Sequence, residues 1–159
     1  AQIWQDWSSH DPAQRRGLVT LTAGEVHVEF DTEHLRRVLV NLLDNALRYK
    51  SGEADALQLS TRISAPGQAC VQVWSDGAPM DQSVERHLFE PFFSSESRSS
   101  GLGLYICREL CERHGASIGY LRTSRPTLRG DTEGNAFTVS FRKVGRLQES
   151  ASLFDTIVV

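Results

Sequence analysis

The stretch L-R-R-V-L-V-N-L-L-D-N-A-L-R-Y-K, Leu35 to Lys50, decides the fold. Leu35, Val38, Leu39, Leu42, Leu43, Ala46 and Leu47 recur at three- and four-residue spacing, the signature of one apolar helix face. Asp31 supplies an N-cap and Ser51-Gly52 a stop, so the spacing predicts a helix from about Thr32 to Lys50. Asn41 and Asn45 lie four apart and share a stripe, with Arg48 beside them. That stripe borders the apolar face, at the rim of a core, where a ligand can wedge in. Asparagine is a mediocre helix former because its amide competes for backbone hydrogen bonds, so two in mid-helix need a reason. The bland alternative is a pair of solvated amides.

Working outward, Leu18 to Leu21 and Val26 to Phe30 read as a hairpin, with alternation in V-H-V-E-F and a turn at Ala23-Gly24. Ala56 to Ile63 and Ala69 to Trp74 read as antiparallel strands joined by Ala65-Pro66-Gly67-Gln68. Ser75-Asp76-Gly77-Ala78-Pro79 breaks the second of them abruptly. Val84 to Leu88 reads as a short helix, and the aromatic run Phe89-Glu90-Pro91-Phe92-Phe93 is expected to avoid solvent. Ser94 to Ser100 is polar and low in complexity. Gly101-Leu102-Gly103 then opens a second amphipathic helix, Leu104 to His114. Ser117 to Thr123 and Ala136 to Arg142 read as strands flanking a Gly- and Arg-bearing loop, Ser124 to Asn135. Gly145 to Asp155 reads as a loose tail.

This order implies a two-layer α/β sandwich: a mixed, mostly antiparallel sheet covered on one face by helices. Residues 1–16 are read as the end of a connecting segment or a short helix, 17–143 as one domain, and 144–159 as a flexible C-terminal tail. With no methionine at Ala1, the chain reads as a piece of something longer. The 159 residues suffice for a domain with a proper core. A formal charge of −3 gives no electrostatic case for nucleic acid or an anionic membrane. The apolar runs are too short to cross a bilayer, and no signal peptide opens the chain. Cys70, Cys107 and Cys111 make no metal-ligand pattern; Cys107 and Cys111 read as packing thiols, in keeping with a reducing, cytoplasmic setting.

Three polar features punctuate these apolar elements: the asparagine pair, the turn at Ser75 to Pro79, and the glycines Gly101 and Gly103. A sharp turn ending a buried strand lets a flat ligand approach the backbone. Glycines at a helix start leave backbone N–H groups open to phosphate, aided by the positive end of the helix dipole. Asn45 offers a neutral amide oxygen, which the hard cation Mg²⁺ accepts alongside phosphates and water. A magnesium-bound nucleotide between the two helices accounts for all three. There is no G-x-x-x-x-G-K-[ST] stretch, nucleophile elbow or zinc pattern.

N-L-L-D-N-A-L-R-Y (Asn41 to Tyr49) resembles the N box of sensor histidine kinases. L-F-E-P-F-F (Leu88 to Phe93) resembles their F box, and S-G-L-G-L-Y-I-C-R-E-L (Ser100 to Leu110) their second glycine box, in matching order and spacing. The resemblance covers about Asp31 to Arg142 and implies the Bergerat ATP-binding fold shared with gyrase, mismatch-repair and heat-shock chaperone ATPases. The wording of the last box leans towards kinases of nitrogen assimilation and type IV pili. Carried over by position, Asn45 resembles the Mg²⁺ ligand and Asn41 the residue that orients the γ-phosphate or a nearby water. Arg48 resembles the basic residue facing the phosphates, and Tyr49 the aromatic on the adenine side. Gly101 and Gly103 resemble the glycines whose amides meet the phosphates, with Ser100 and Leu102 in the same binding strip, while Phe92 and Phe93 would anchor the lid.

Two departures stand out. Where the family's first glycine box reads D-x-G-x-G, this chain has Ser75 for the aspartate, Gly77 for the first glycine and Pro79 for the second. The family's aspartate accepts a hydrogen bond from the adenine amino group; a serine hydroxyl accepts one without the charge, at a cost of about 1–2 kcal/mol. Asp76 is the candidate substitute. The other departure is Ser99, where the second box usually begins with glycine.

The resemblance thus implies the catalytic domain of a two-component sensor histidine kinase, a protein-histidine kinase using ATP and Mg²⁺. Its partners would be its own dimerisation and histidine phosphotransfer domain and a downstream response regulator, in a parent at the inner membrane. No histidine here has the flanks of the phosphoacceptor, and Pro12 breaks any helix at His10-Asp11. The fragment is therefore expected to bind Mg-ATP without phosphorylating itself. Ser75 and Pro79 motivate a rival reading, a degenerate docking or regulatory module. A chaperone- or repair-type ATPase is the third, and the F box speaks against it.

Overall fold

The structure, a computed structural model, describes residues 1–93, 101–142 and 145–146, the last pair by backbone alone. The expected tail beyond Arg146 lies outside the described residues. The helix α1 (Gln2–Ser9) leads into strand β1 (Leu18–Leu21) and the two-residue β2 (Val26–His27). Helix α2 (Thr32–Tyr49) follows, then β3 (Leu57–Ala65), β4 (Gln68–Ser75) and the short α3 (Gln82–Arg86). Helix α4 (Gly103–Arg113), β5 (Ser117–Thr127), β6 (Gly130–Arg142) and β7 (Gly145–Arg146) complete the order. Five strands form one mixed sheet in the order β1-β3-β4-β6-β5, with β1 parallel to β3 and every other pairing antiparallel.

α2 begins and ends where its sequence predicts. The Asp31 carboxylate accepts the His34 N–H at 2.9 Å, a bond that holds the acid below its ordinary range. Val38, Leu39, Leu42, Leu43 and Ala46 are buried along one face. α2 and α4 lie side by side on the sheet, where Leu57, Leu59, Val71, Val73, Phe137, Val139 and Phe141 point into the shared core. At the β3–β4 turn, Pro66 pre-sets one φ and Gly67 takes the positive φ of 72°. Cys107 and Cys111 are fully buried free thiols, and burial pushes them up to about 11 and about 12.

Three expectations change. Leu18–Leu21 and Val26–Phe30 do not form a hairpin: β1 runs parallel to β3, with α2 as the crossover that a parallel pair requires. Of V-H-V-E-F only Val26–His27 is strand, and it pairs with Gly145–Arg146, the start of the expected tail. Alternation marks an extended, half-buried segment and leaves its neighbour unspecified. Second, Ser124 to Asn135 is no loop. β5 and β6 continue as one long hairpin to a two-residue turn between Thr127 and Gly130. Its outer half crosses the sheet face opposite the helices, where Trp74 donates to the Thr123 carbonyl at 3.0 Å and Gln58 to that of Pro126 at 3.0 Å. Arg125 bonds Ser60 at 3.1 Å and also Gln72. Polar residues that look like loop are a polar strand lying over other polar residues. Third, Phe92 is 79% exposed at φ 62°, although Phe89 packs edge-on against Phe137 at 6.3 Å.

The first helix joins the same core. Trp7 is buried, its indole N–H donates to Asp44 at 2.7 Å, and the Arg15 guanidinium lies 5.1 Å over its ring. Arg36 on α2 pairs with Asp6 at 3.0 Å.

Candidate functional site

A cleft of about 700 Å³ opens between α2 and the start of α4. Asn41, Asp44, Asn45, Arg48 and Tyr49 form its α2 wall, as the four-residue spacing requires. Its floor comes from the end of β4 and the middle of β6: Ser75, Asn135 and Phe137, each under 7% exposed. The turn from Ala78 to Asp81, with Val84 and Leu88, makes the third side, and Phe93, Gly101, Gly103 and Leu104 close the fourth. The two walls meet where the Asn41 amide donates to the Gly103 carbonyl at 3.5 Å.

The backbone at Gly101 demands glycine. Its φ is +67°, and a Cβ there would sit 2.6 Å from the Phe92 carbonyl carbon and 2.7 Å from the Phe93 nitrogen. Gly103 differs: among the described residues nothing beyond its own chain neighbours and helix backbone lies within 4 Å of where its Cβ would be. It is the first residue of α4, and Leu102 ahead of it contributes no side-chain cap. A leucine at the cap position offers the first-turn N–H groups no side-chain acceptor of its own.

The turn at the end of β4 is held from beneath. Arg122 donates to the Gly77 carbonyl at 3.0 Å, and the Asn135 amide to that of Ala78 at 2.9 Å. The Asn135 oxygen in turn accepts from the Tyr120 hydroxyl at 2.8 Å and from Arg122 at 3.1 Å. A Cβ on Gly77 would stand 3.0 Å from the Tyr49 carbonyl oxygen, so the turn sits tight against the end of α2. At Gly134 a Cβ would meet the Ser75 carbonyl oxygen at 2.3 Å, which explains glycine where the outer hairpin leaves the sheet.

Of the candidate residues, Asn41, Asn45, Arg48, Tyr49, Ser75, Phe93, Gly101 and Gly103 come together on this one cleft. Gly77 and Leu102 flank it as backbone without lining it. Asp76 requires a correction, because its carboxylate turns away from the cleft. It accepts the Ser51 N–H at 2.8 Å, the Ser51 hydroxyl at 2.6 Å and the Arg129 guanidinium at 2.5 Å. Its side chain is 1% exposed. Burial alone would raise this acid; the Ser51 hydroxyl and N–H, with Arg129, outweigh it and hold the acid below its usual value. Strand alternation explains the direction, since adjacent residues at a strand end point to opposite faces. Phe92, expected to anchor the lid, is exposed, while Phe93 packs its ring 5.2 Å from that of His87. Ser100 lies outside the described residues.

Asp44, Met80, Asn135 and Phe137 line the cleft and were not singled out by sequence. Asn135 is reached only through register, as the partner of Ser75 across β4 and β6. No local pattern marks it.

The family profile described as histidine kinase-, DNA gyrase B-, and HSP90-like ATPase matches residues 30–145. Sensor protein kinase PilS of Pseudomonas aeruginosa is 38% identical over 103 residues, which is 63% of this chain and 19% of PilS. Sensor histidine kinase ZraS of Klebsiella oxytoca is 30% identical over 112 residues, 69% of this chain and 24% of ZraS. The chain thus spans about a fifth to a quarter of the length of these relatives. Among solved structures, the nucleotide-free catalytic domain of histidine kinase ThkA superposes with a TM-score of 0.72 at 24% identity, covering 89% of this chain and 88% of that one. The mycobacterial sensor histidine kinase MprB gives 0.69 at 22%, covering 89% and 93%. At these identities the two structures speak for the fold alone.

Proposed function

The chain belongs to the histidine kinase-, DNA gyrase B-, and HSP90-like ATPase family, as a sensor-histidine-kinase catalytic domain, and on that premise we propose that it presents magnesium-bound ATP to a histidine elsewhere in its parent. The observation that carries this reading is the single cleft joining the amide stripe of α2, the strand end at Ser75 and the glycine-led start of α4. The open space at Gly103 supports it, because packing among the described residues does not ask for glycine there and close approach of a phosphate does.

The donor set suits Mg²⁺. Among the described residues no three His, Cys, Asp or Glu side chains gather as a metal cage. A lone amide oxygen from Asn45, completed by phosphate oxygens and water, is how this hard cation is commonly held on nucleotides. The ion would neutralise charge on the transferring phosphoryl group. Asn41 orients the terminal phosphate, Arg48 offsets its charge, and the Gly101 and Gly103 amides receive its oxygens. Such transfer needs positioning and charge stabilisation more than covalent help, which is what these groups provide. Tyr49 and Phe93 flank the base and the lid end.

The acceptor histidine then belongs to a dimerisation and phosphotransfer domain of the parent, and the phosphoryl group passes on to a response regulator. Among the described residues no helix is long and apolar enough to cross a membrane. We place the domain on the cytoplasmic side of a parent held at the inner membrane.

Calorimetry with Mg-ATP tests the reading. Micromolar to sub-millimolar affinity that disappears in Asn45→Ala, with the melting curve unchanged, is the expected result. Ser75 and Pro79 favour a second reading, a nucleotide-poor docking module. Absence of heat at millimolar Mg-ATP and Mg-ADP would select it.

A further inference from the structure

The buried end of the cleft has an unusual polar inventory. Ser75 is 3% exposed and Asn135 6%. The Asn135 amide is already committed at both ends, its oxygen to Tyr120 and Arg122 and its nitrogen to Ala78. The Ser75 hydroxyl has no hydrogen-bond partner in the protein among the described residues. Among the described residues no carboxylate is turned to it: Asp76 faces Ser51 and Arg129, Asp44 holds the Trp7 indole, and Asp81 is exposed ahead of α3. The phosphates belong at the other end, with Gly101, Gly103 and Arg48, so a base would meet Ser75.

We propose that this cleft accepts 6-oxopurine nucleotides about as readily as 6-aminopurine nucleotides, because the polar group that meets the base is the rotatable hydroxyl of Ser75. The inference rests on the reading that the cleft binds a purine nucleotide. A carboxylate can only accept. Set against the 6-substituent itself, and not the ring N–H beside it, it would take the amino group of adenine and repel the carbonyl oxygen of hypoxanthine or guanine. A hydroxyl accepts from the adenine amino group, and after rotation donates to a 6-carbonyl or accepts from the adjacent ring N–H. Discrimination of a factor of a thousand or more arises when a wrong ligand leaves a buried group unpaired. The Ser75 hydroxyl is left unpaired by neither base.

ATP and ITP differ only at the 6-position and the proton on the neighbouring ring nitrogen, which makes them the sharp pair. Titration calorimetry on the full chain with each magnesium complex is expected to give dissociation constants within about threefold of one another. In Ser75→Asp, ATP should tighten and ITP weaken, opening the ratio to about tenfold or more. In Ser75→Ala both should weaken by the same factor, a result that keeps the test alive if the aspartate variant folds poorly. Wild-type protein that holds ATP ten or more times tighter than ITP overturns the inference and leaves the ATP-binding reading standing. So does a Ser75→Ala variant that alters neither affinity. If neither nucleotide binds at millimolar concentration, the ATP-binding reading falls and takes the inference with it.

Discussion

Replacing Asp76 by alanine removes a carboxylate with three donors around it: the Ser51 N–H at 2.8 Å, the Ser51 hydroxyl at 2.6 Å and Arg129 at 2.5 Å. Hydrogen bonds to charged groups contribute about 1.5–3 kcal/mol each, but the losses do not add. The Arg129 side chain is 48% exposed and regains water once released, so its desolvation is largely recovered. Ser51 sits half-buried at the end of α2 and keeps an unsatisfied N–H. The net loss works out at about 2–4 kcal/mol, below the full penalty for breaking a deeply buried pair. For a domain of this size that corresponds to a fall in Tm of about 6–15 °C. Urea melts of wild type and Asp76→Ala measure it, and a difference under about 0.5 kcal/mol would refute the reasoning. The pH dependence adds a second check. The folded acid lies below its unfolded value, so its contribution is complete above about pH 4 and is lost as the pH falls through the folded value. Asp76→Asn should therefore flatten part of the acid limb of the stability curve. Because the carboxylate faces away from the cleft, Mg-ATP affinity in the folded Asp76→Asn protein should change by less than about threefold.

Gly101→Ala is expected to strain the chain at φ +67° and force the Phe92–Phe93 backbone aside, lowering Mg-ATP affinity about tenfold or more by calorimetry. Trp7→Ala should cost about 3–5 kcal/mol in urea melts, since it empties a core site and removes the indole donor to Asp44. Cys107 and Cys111, pushed up to about 11 and about 12 by burial, should resist a thiol reagent at pH 8 until denaturant is added. Rapid labelling in native buffer would contradict their placement. Incubation with γ-labelled ATP should leave the chain unlabelled, and acid-labile phosphate on any of its five histidines would overturn that expectation.

The sequence carried most of the site because the helix period alone fixes which α2 side chains share a stripe. Asn41, Asn45 and Arg48 needed no tertiary information. Gly101 was legible as a turn and Asp31 as a cap, because both act through their own backbone neighbourhood. What escaped depends on contacts between distant segments. Val26–His27 alternates like a hairpin arm yet pairs with Gly145–Arg146. The outer β5–β6 hairpin is polar on both faces because it rests on Gln58, Ser60 and Gln72, and no one-sided pattern betrays it. Asp76 looked available beside Ser75, but the pleat sends adjacent side chains to opposite faces, and Ser51 and Arg129 claim it there.

The attachment of α1 to α2 has a mechanical consequence. Asp6 grips Arg36 and Trp7 grips Asp44, two anchors eight residues apart on α2, or about 12 Å along its axis. A single pivot would let α1 swivel; two make it a rigid handle. Asp44 also lines the cleft, so torque applied to α1 arrives directly on the wall that carries Asn41 and Asn45.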